Sequence, residues 1–272
     1  MTLKKILDFY INSSIHVALA VVSLSLITTL SLGLAADKDL LIFIFFGTIT
    51  GYNFVKYAGV AKLHHRSLAK SLRSIQIFSL FCFLGFVIFF FRIEKVIMIW
   101  IGLFGLLTLL YALPVFSRRR NLRSISGVKI FIIAFVWSGV TVVLPAAETA
   151  AAVSWEIFWE FVQRFLFVLV LILPFEIRDL KYDLQQLGTI PQNVGVTKTK
   201  LLGLLLLLIV VLIEFLQSPV ESAAFLSLLG TSVITAGFTL KAKEHQSSYY
   251  SSFWVEAVSI FWLFLLWLLA II

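Results

Sequence analysis

Nine long apolar runs, one after another, leave this chain little choice of fold. They cover approximately residues 15–36, 40–59, 72–91, 96–115, 128–146, 157–175, 199–217, 220–240 and 253–272. A helix that crosses a bilayer needs about 20 mostly apolar residues. The runs are continuous rather than alternating, so they read as helices and not as barrel strands. Hydrophobic residues make up 61% of the chain and charged ones 13%. A soluble domain carries about 45–50% and about 25%. That composition excludes a soluble enzyme, a disordered chain and a secreted disulfide scaffold, and the single Cys82 has no partner for an internal disulfide. The expectation is an all-α polytopic membrane protein with nine transmembrane helices around a central cavity. It is one membrane domain over residues 1–272, with pseudo-halves of about 1–125 and 126–272.

Lys4 and Lys5 before the first run, and Gly33-Leu34-Ala35 after it, resemble a signal peptide. The uncharged stretch from Ile11 to Ala36 is much longer than a signal core of roughly 7–15 residues, so the run reads as a retained span. The basic residues then set an orientation. With the N-terminus inside, 18 Lys and Arg fall on the cytoplasmic side and 4 on the other. That asymmetry follows the positive-inside rule and places the C-terminus outside. The net charge of +8 is explained by loops facing anionic lipid, with no nucleic-acid partner.

Residues 174–195, PFEIRDLKYDLQQLGTIPQNVG, carry the most polar information. Glu176, Asp179 and Asp183 fall at i, i+3 and i+7, one face of a helix. Three carboxylates on one face repel one another, and a divalent cation relieves the repulsion. Magnesium suits carboxylates shared with phosphate oxygens and water. Arg178 and Lys181 add positive charge for the same anion, and Gly188, Pro191 and Gly195 mark a turn. The same spacing also suits a solvated helix end.

The stretch resembles the second aspartate-rich motif of the UbiA-type intramembrane prenyltransferases, D-x-x-x-D with a preceding acid, followed by Gly, a Thr-x-Pro element and another Gly. The matching positions are Asp179 and Asp183, with Glu176 before them, then Gly188, Thr189-Ile190-Pro191 and Gly195. Tyr111-Ala112-Leu113-Pro114 followed by Arg118-Arg119-Arg120 is similar to the Tyr-x-x-Pro and basic run of the same family. The basic run serves equally as positive-inside anchoring. The resemblance implies nine helices, a cytoplasmic N-terminus and an integral protein of a bacterial cytoplasmic membrane. It also implies transfer of a prenyl group from an isoprenoid diphosphate to a lipophilic acceptor, aromatic or quinone-type. Asp179 and Asp183 would be the catalytic pair and, with Glu176, would hold one magnesium ion. Tyr111, Arg118, Arg119, Arg178 and Lys181 would face the substrate.

The family's first motif, N-D-x-x-D-x-x-x-D, departs here. The equivalent stretch keeps Asn53 but has Phe54, Tyr57 and Ala61 where aspartates belong. No Asp or Glu occurs between Asp39 and Glu94. Loss of one carboxylate cluster removes one metal site. Asn53, Lys56 and Tyr57 lie on one helical face, and Arg66 follows in the next connection. The Lys56 ammonium is a candidate replacement, since lysine meets phosphate as a point charge. The other reading is that Lys56 snorkels to the interface. Two functions follow: a prenyltransferase, and a non-catalytic protein that binds or carries an isoprenoid lipid. Glu214 and Glu256 are read as acids near span ends with no relay role.

Overall fold

The computed structural model describes residues 2–57, 66–114, 121–147, 154–181, 187–216 and 221–271. The described chain is helical throughout. α1 (Thr2–Asn12) meets α2 (Ile15–Ser31) at a bend of 57°. α3 (Lys38–Tyr57), α4 (Arg66–Phe90) and α5 (Lys95–Ala112) follow. α6 begins at Lys129–Ser138 and runs through a π-helical turn, Gly139–Val143, to Ala146. α7 (Trp155–Asp179), the short α8 (Ile190–Val194), α9 (Val196–Ile213) and α10 (Ser222–Lys241) lead to a second π-helical segment, Tyr250–Val255, and α11 (Ala257–Ile271). Among the described residues, eight helices are long and apolar enough to cross a membrane, and the bent pair α1–α2 makes a ninth if it is one span. This is an integral membrane protein by the length and composition of its helices.

Helices neighbouring in sequence mostly neighbour in space. α2 packs on α3, α3 on α4, α5 on α6, α6 on α7, α7 on α9, α9 on α10 and α10 on α11, and α11 returns to α2. α4 leans on α3 and scarcely touches α5. α7 is the most enclosed helix, with 61% of its apolar window buried against 11% for α4. Phe167, Val168 and Val170 of α7 pack with Leu24 of α2, Leu207 and Val210 of α9, Leu228 of α10 and Trp262 of α11. A second cluster joins Val21, Ile44, Ile97, Phe104 and Leu144. These clusters pack the interior along α7.

The ends of the bundle differ. One end collects Lys56, Arg123, Lys129, Arg178, Lys181, Lys198, Lys200 and Lys241 and is called the basic end here. The opposite end carries Lys38, Arg92 and Lys95 and opens α7 with Trp155.

Gly139 opens the π-helical turn because there is no room for more. A Cβ there would come within 2.1 Å of the Phe104 ring of α5, and Phe104 is itself buried. Gly139→Ala should therefore destabilise by about 1–3 kcal/mol. Gly102, on the exposed face of α5, has nothing within 4 Å of such a Cβ. Gly102→Ala should be neutral or stabilising by up to about 1 kcal/mol. Thermal melts of the two variants in detergent test this pair of expectations; equal melting temperatures would show that the Phe104 ring gives way.

Candidate functional site at the basic end

The Asn53 face does more mechanical work than its sequence suggests. Between α1 and α2, Ser14 adopts a left-handed conformation, φ 65°, that a non-glycine residue takes only when its surroundings hold it. α3 supplies the hold. The Asn53 side-chain oxygen accepts a hydrogen bond from Ser14 Oγ at 2.8 Å. Its nitrogen donates to the Ser13 carbonyl at 3.0 Å and to Ser79 Oγ of α4 at 2.8 Å. Lys56 Nζ donates to Ser14 Oγ at 3.1 Å, and Tyr57 Oη donates to the Asn12 carbonyl at 2.9 Å. Asn53, Lys56 and Tyr57 thus share one face, as their spacing predicts, and that face clasps the α1–α2 bend.

Lys56 is exposed near the end of α3. It lies within electrostatic range of Arg178 on α7 and of Glu256 at the junction of the second π-helical segment and α11. Tyr52, one turn before Lys56, accepts a 2.8 Å hydrogen bond from Trp137 Nε1 and is within electrostatic range of Glu256 and Tyr111. Tyr111 is buried at the end of α5. On α2, His16 ties the same region together. Its Nε2 faces the Phe253 carbonyl at 2.9 Å and Nδ1 faces Tyr10 Oη at 2.8 Å. A carbonyl only accepts, so Nε2 carries the proton and Nδ1 accepts from the tyrosine. Tyr249 donates to the Asp8 carboxylate, which holds the phenol above its usual range because ionisation would lose that bond.

The three acids singled out after the sixth apolar run do not stand alone. Glu176 is buried and takes an ion pair from Lys129 of α6 at 2.8 Å. Asp179 receives both Arg178 Nε at 2.7 Å and its terminal nitrogen at 3.2 Å, while the guanidinium lies over the Phe175 ring. Lys181 is exposed just beyond α7. Asp183, Arg118 and Arg119 lie outside the described residues, as does the Arg66 side chain, whose backbone opens α4. Among the described residues no group of three His, Cys, Asp or Glu could hold a metal ion. Glu176 and Asp179 each have a cationic partner, and Asp183, the third of the expected magnesium ligands, is not among the described residues. Lys56, exposed at the end of α3, and Arg178, paired with Asp179, lie within electrostatic range of each other.

The Gly188–Gly195 stretch turns out to be a lock between loops. Gly188, φ 53°, lies against Ser126, and a Cβ there would come within 1.9 Å of Ser126 Oγ. The Gly127 amide donates to the Leu187 carbonyl at 3.0 Å. Thr189 then caps α8, its amide bonded to Gln192 Oε1 at 3.0 Å, and Gly195, φ 81°, separates α8 from α9. A small recess under this lock is lined by Arg123, Lys129, Glu176 and Thr189.

Sequence reasoning passed over two features. Glu256 is one. An acid near the start of an apolar run is itself the signal, because ionisable groups at membrane depth usually face a cavity or a partner. The other is a buried polar network toward the opposite end. Arg164 donates to Glu160 Oε1 at 2.6 Å, to Thr28 Oγ1 at 3.2 Å and to the Leu24 carbonyl at 2.7 Å, and its guanidinium sits 5.0 Å from the Trp262 ring. Gln163 bonds Glu214 at 2.9 Å beside it. The Arg164 side chain is 1% exposed.

No family model, curated protein or solved structure matches this chain. What the basic end does is therefore argued from its own residues.

Proposed function

We propose that the chain is a UbiA-like prenyltransferase that takes a prenyl group from an isoprenoid diphosphate to a lipophilic acceptor, aromatic or quinone-type. The observation that carries this reading is that Lys56 of α3 and Arg178 of α7 lie within electrostatic range of each other at the basic end. The two residues come from the two stretches that resemble the family's paired motifs. The order of packing, in which successive helices adjoin and α11 returns to α2, supports it as well. In such a reaction the bond between the prenyl carbon and the diphosphate oxygen breaks, the acceptor bonds that carbon, and the acceptor's proton departs. Charge builds on the leaving diphosphate, and cations already in position stabilise it without reorganising. Lys56 and Arg178 are those cations. The basic end would face the cytoplasm, where the donor is soluble enough to arrive.

A second reading, non-catalytic binding or carriage of an isoprenoid lipid, draws on two observations. The aspartates of the first motif are absent, and Glu176 and Asp179 already have cationic partners. One assay separates the readings. Purified protein is given a panel of prenyl diphosphates with magnesium and a lipid extract as acceptor source, and both donor binding and pyrophosphate release are followed. Transfer predicts release that depends on the protein. Binding without release favours the carrier, and absence of both removes the diphosphate reading.

A further inference from the structure

The end of the bundle opposite the basic end holds a polar space of its own. A cavity of about 40 Å³ is lined by Ser31 of α2, Glu160 and Gln163 of α7, Glu214 at the end of α9, Ser227 of α10 and Trp262 of α11. Its outermost lining residues are the half-buried Ser31 and the exposed Glu221. At roughly 10–15 Å³ for each water-sized occupant, it has room for two or three of them. The donors on its wall are already spent. Gln163 Nε2 donates to the Val210 carbonyl at 3.1 Å and to Glu214 Oε2 at 2.9 Å. Ser227 Oγ donates to the Ala224 carbonyl at 2.8 Å and accepts from Trp262 Nε1 at 3.2 Å. A carbonyl only accepts, so the Gln163 amide has one orientation and its Oε1 is the oxygen left over. Gln163 is 3% exposed and Glu214 9%, yet among the described residues nothing donates to Gln163 Oε1 or to Glu214 Oε1. Neither oxygen is sealed off, and both belong to residues that line the cavity.

The charge of the wall points the same way. Glu160 is met by Arg164 at 2.6 Å. Glu214 has a neutral amide as its hydrogen-bond partner and, among the described residues, no cation in contact. A carboxylate buried without a countercharge is expensive. What the cavity lacks is one positive charge that can meet two acceptor oxygens. We infer that it binds a monovalent cation, an alkali-metal ion or a small ammonium, held by Glu214 Oε1 and Gln163 Oε1 and reached past Glu221. Water from the open side completes the shell. A divalent ion suits the cavity less well, because a single uncompensated carboxylate leaves positive charge in excess and such ions gather more oxygen ligands than this wall presents. The cavity lies at the other end of the bundle from Lys56 and Arg178, so the inference does not depend on the diphosphate reading.

The test uses the full chain in detergent micelles at about pH 8, well above the ordinary carboxylate range. Ionic strength is held by N-methyl-D-glucamine chloride, whose cation is too large for the cavity. Thermal unfolding is followed as sodium, potassium, ammonium or methylammonium chloride replaces it. A bound cation should raise the melting temperature along a saturating curve. Glu214→Gln should weaken the apparent affinity by roughly 10- to 150-fold, because a charge-assisted contact is lost. Ser31→Cys, at the half-buried rim, leaves both oxygens in place and covers the case in which Glu214→Gln fails to fold. Its modification by a thiosulfonate reagent should slow severalfold at saturating cation. Saturation by sodium or potassium but not by methylammonium assigns a metal ion, the reverse assigns an ammonium group, and saturation by all of them supports a site that reads charge alone. Absence of a saturating response in wild type would mean that a proton neutralises Glu214, and overturns the inference. Unchanged affinity in Glu214→Gln, an unslowed Ser31→Cys, or calcium binding more tightly than every monovalent ion overturns it as well.

Discussion

Replacing Arg164 by Leu should lower the stability of the protein by about 3–5 kcal/mol, enough to prevent folding in many membrane proteins of ordinary stability. The cause is the charge left behind. Glu160 is 5% exposed in its side chain and has Arg164 as its ion-pair partner. Without the guanidinium its carboxylate remains in an apolar interior with only a long contact from Thr28 Oγ1, at 3.5 Å. The Leu24 carbonyl and the Trp262 ring lose their partner at the same time. Adding Glu160→Gln to Arg164→Leu removes the orphaned charge and should restore most of the loss, because a buried pair replaced as a unit costs far less than a pair broken on one side. Unfolding of the single and double variants by denaturing detergent would measure both numbers. A loss under about 1 kcal/mol in Arg164→Leu would mean that water reaches Glu160.

Lys56→Met separates two roles of one residue. The substitution keeps the stem and removes the charge. If Lys56 meets a phosphate oxygen, a charge-assisted hydrogen bond worth roughly 1.5–3 kcal/mol is lost. Donor affinity then falls by roughly 10- to 150-fold. The bend between α1 and α2 should survive, because Ser14 Oγ still donates to Asn53 and Tyr57 still holds the Asn12 carbonyl. Affinity within twofold of wild type, accompanied by a lower melting temperature, would make Lys56 a strut of that bend and nothing more.

The spans were legible because a bilayer constrains length and polarity, both local properties. The fifth apolar run, read as 128–146, is Lys129–Ala146, and the ninth, read as 253–272, is Tyr250–Ile271. The first run was legible as apolar but not as the second arm of a bend, since the left-handed Ser14 is held by α3, 39 residues away. The spacing of Asn53, Lys56 and Tyr57 correctly put them on one face. It carried no information on what that face touches. The same limit applies to Glu176, whose partner Lys129 is on another helix. Gly139 reads as one more glycine in an apolar run until the Phe104 ring is seen against it.

The placement of Glu160 and Arg164 four residues apart on α7 bears on how this protein is made. α7 is synthesised before α9, α10 and α11, the helices that later enclose it. It must leave the insertion machinery while those walls do not yet exist. Each lone charge at the centre of an entering helix costs about 2.5–3.5 kcal/mol. A pair at i and i+4 closes within the helix itself, as it does here at 2.6 Å. α7 can therefore enter the membrane already neutralised, before α9, α10 and α11 are in place. Moving Arg164 to another helix with its final contacts preserved would keep the folded network and remove that early protection, so insertion rather than stability would be the step that fails.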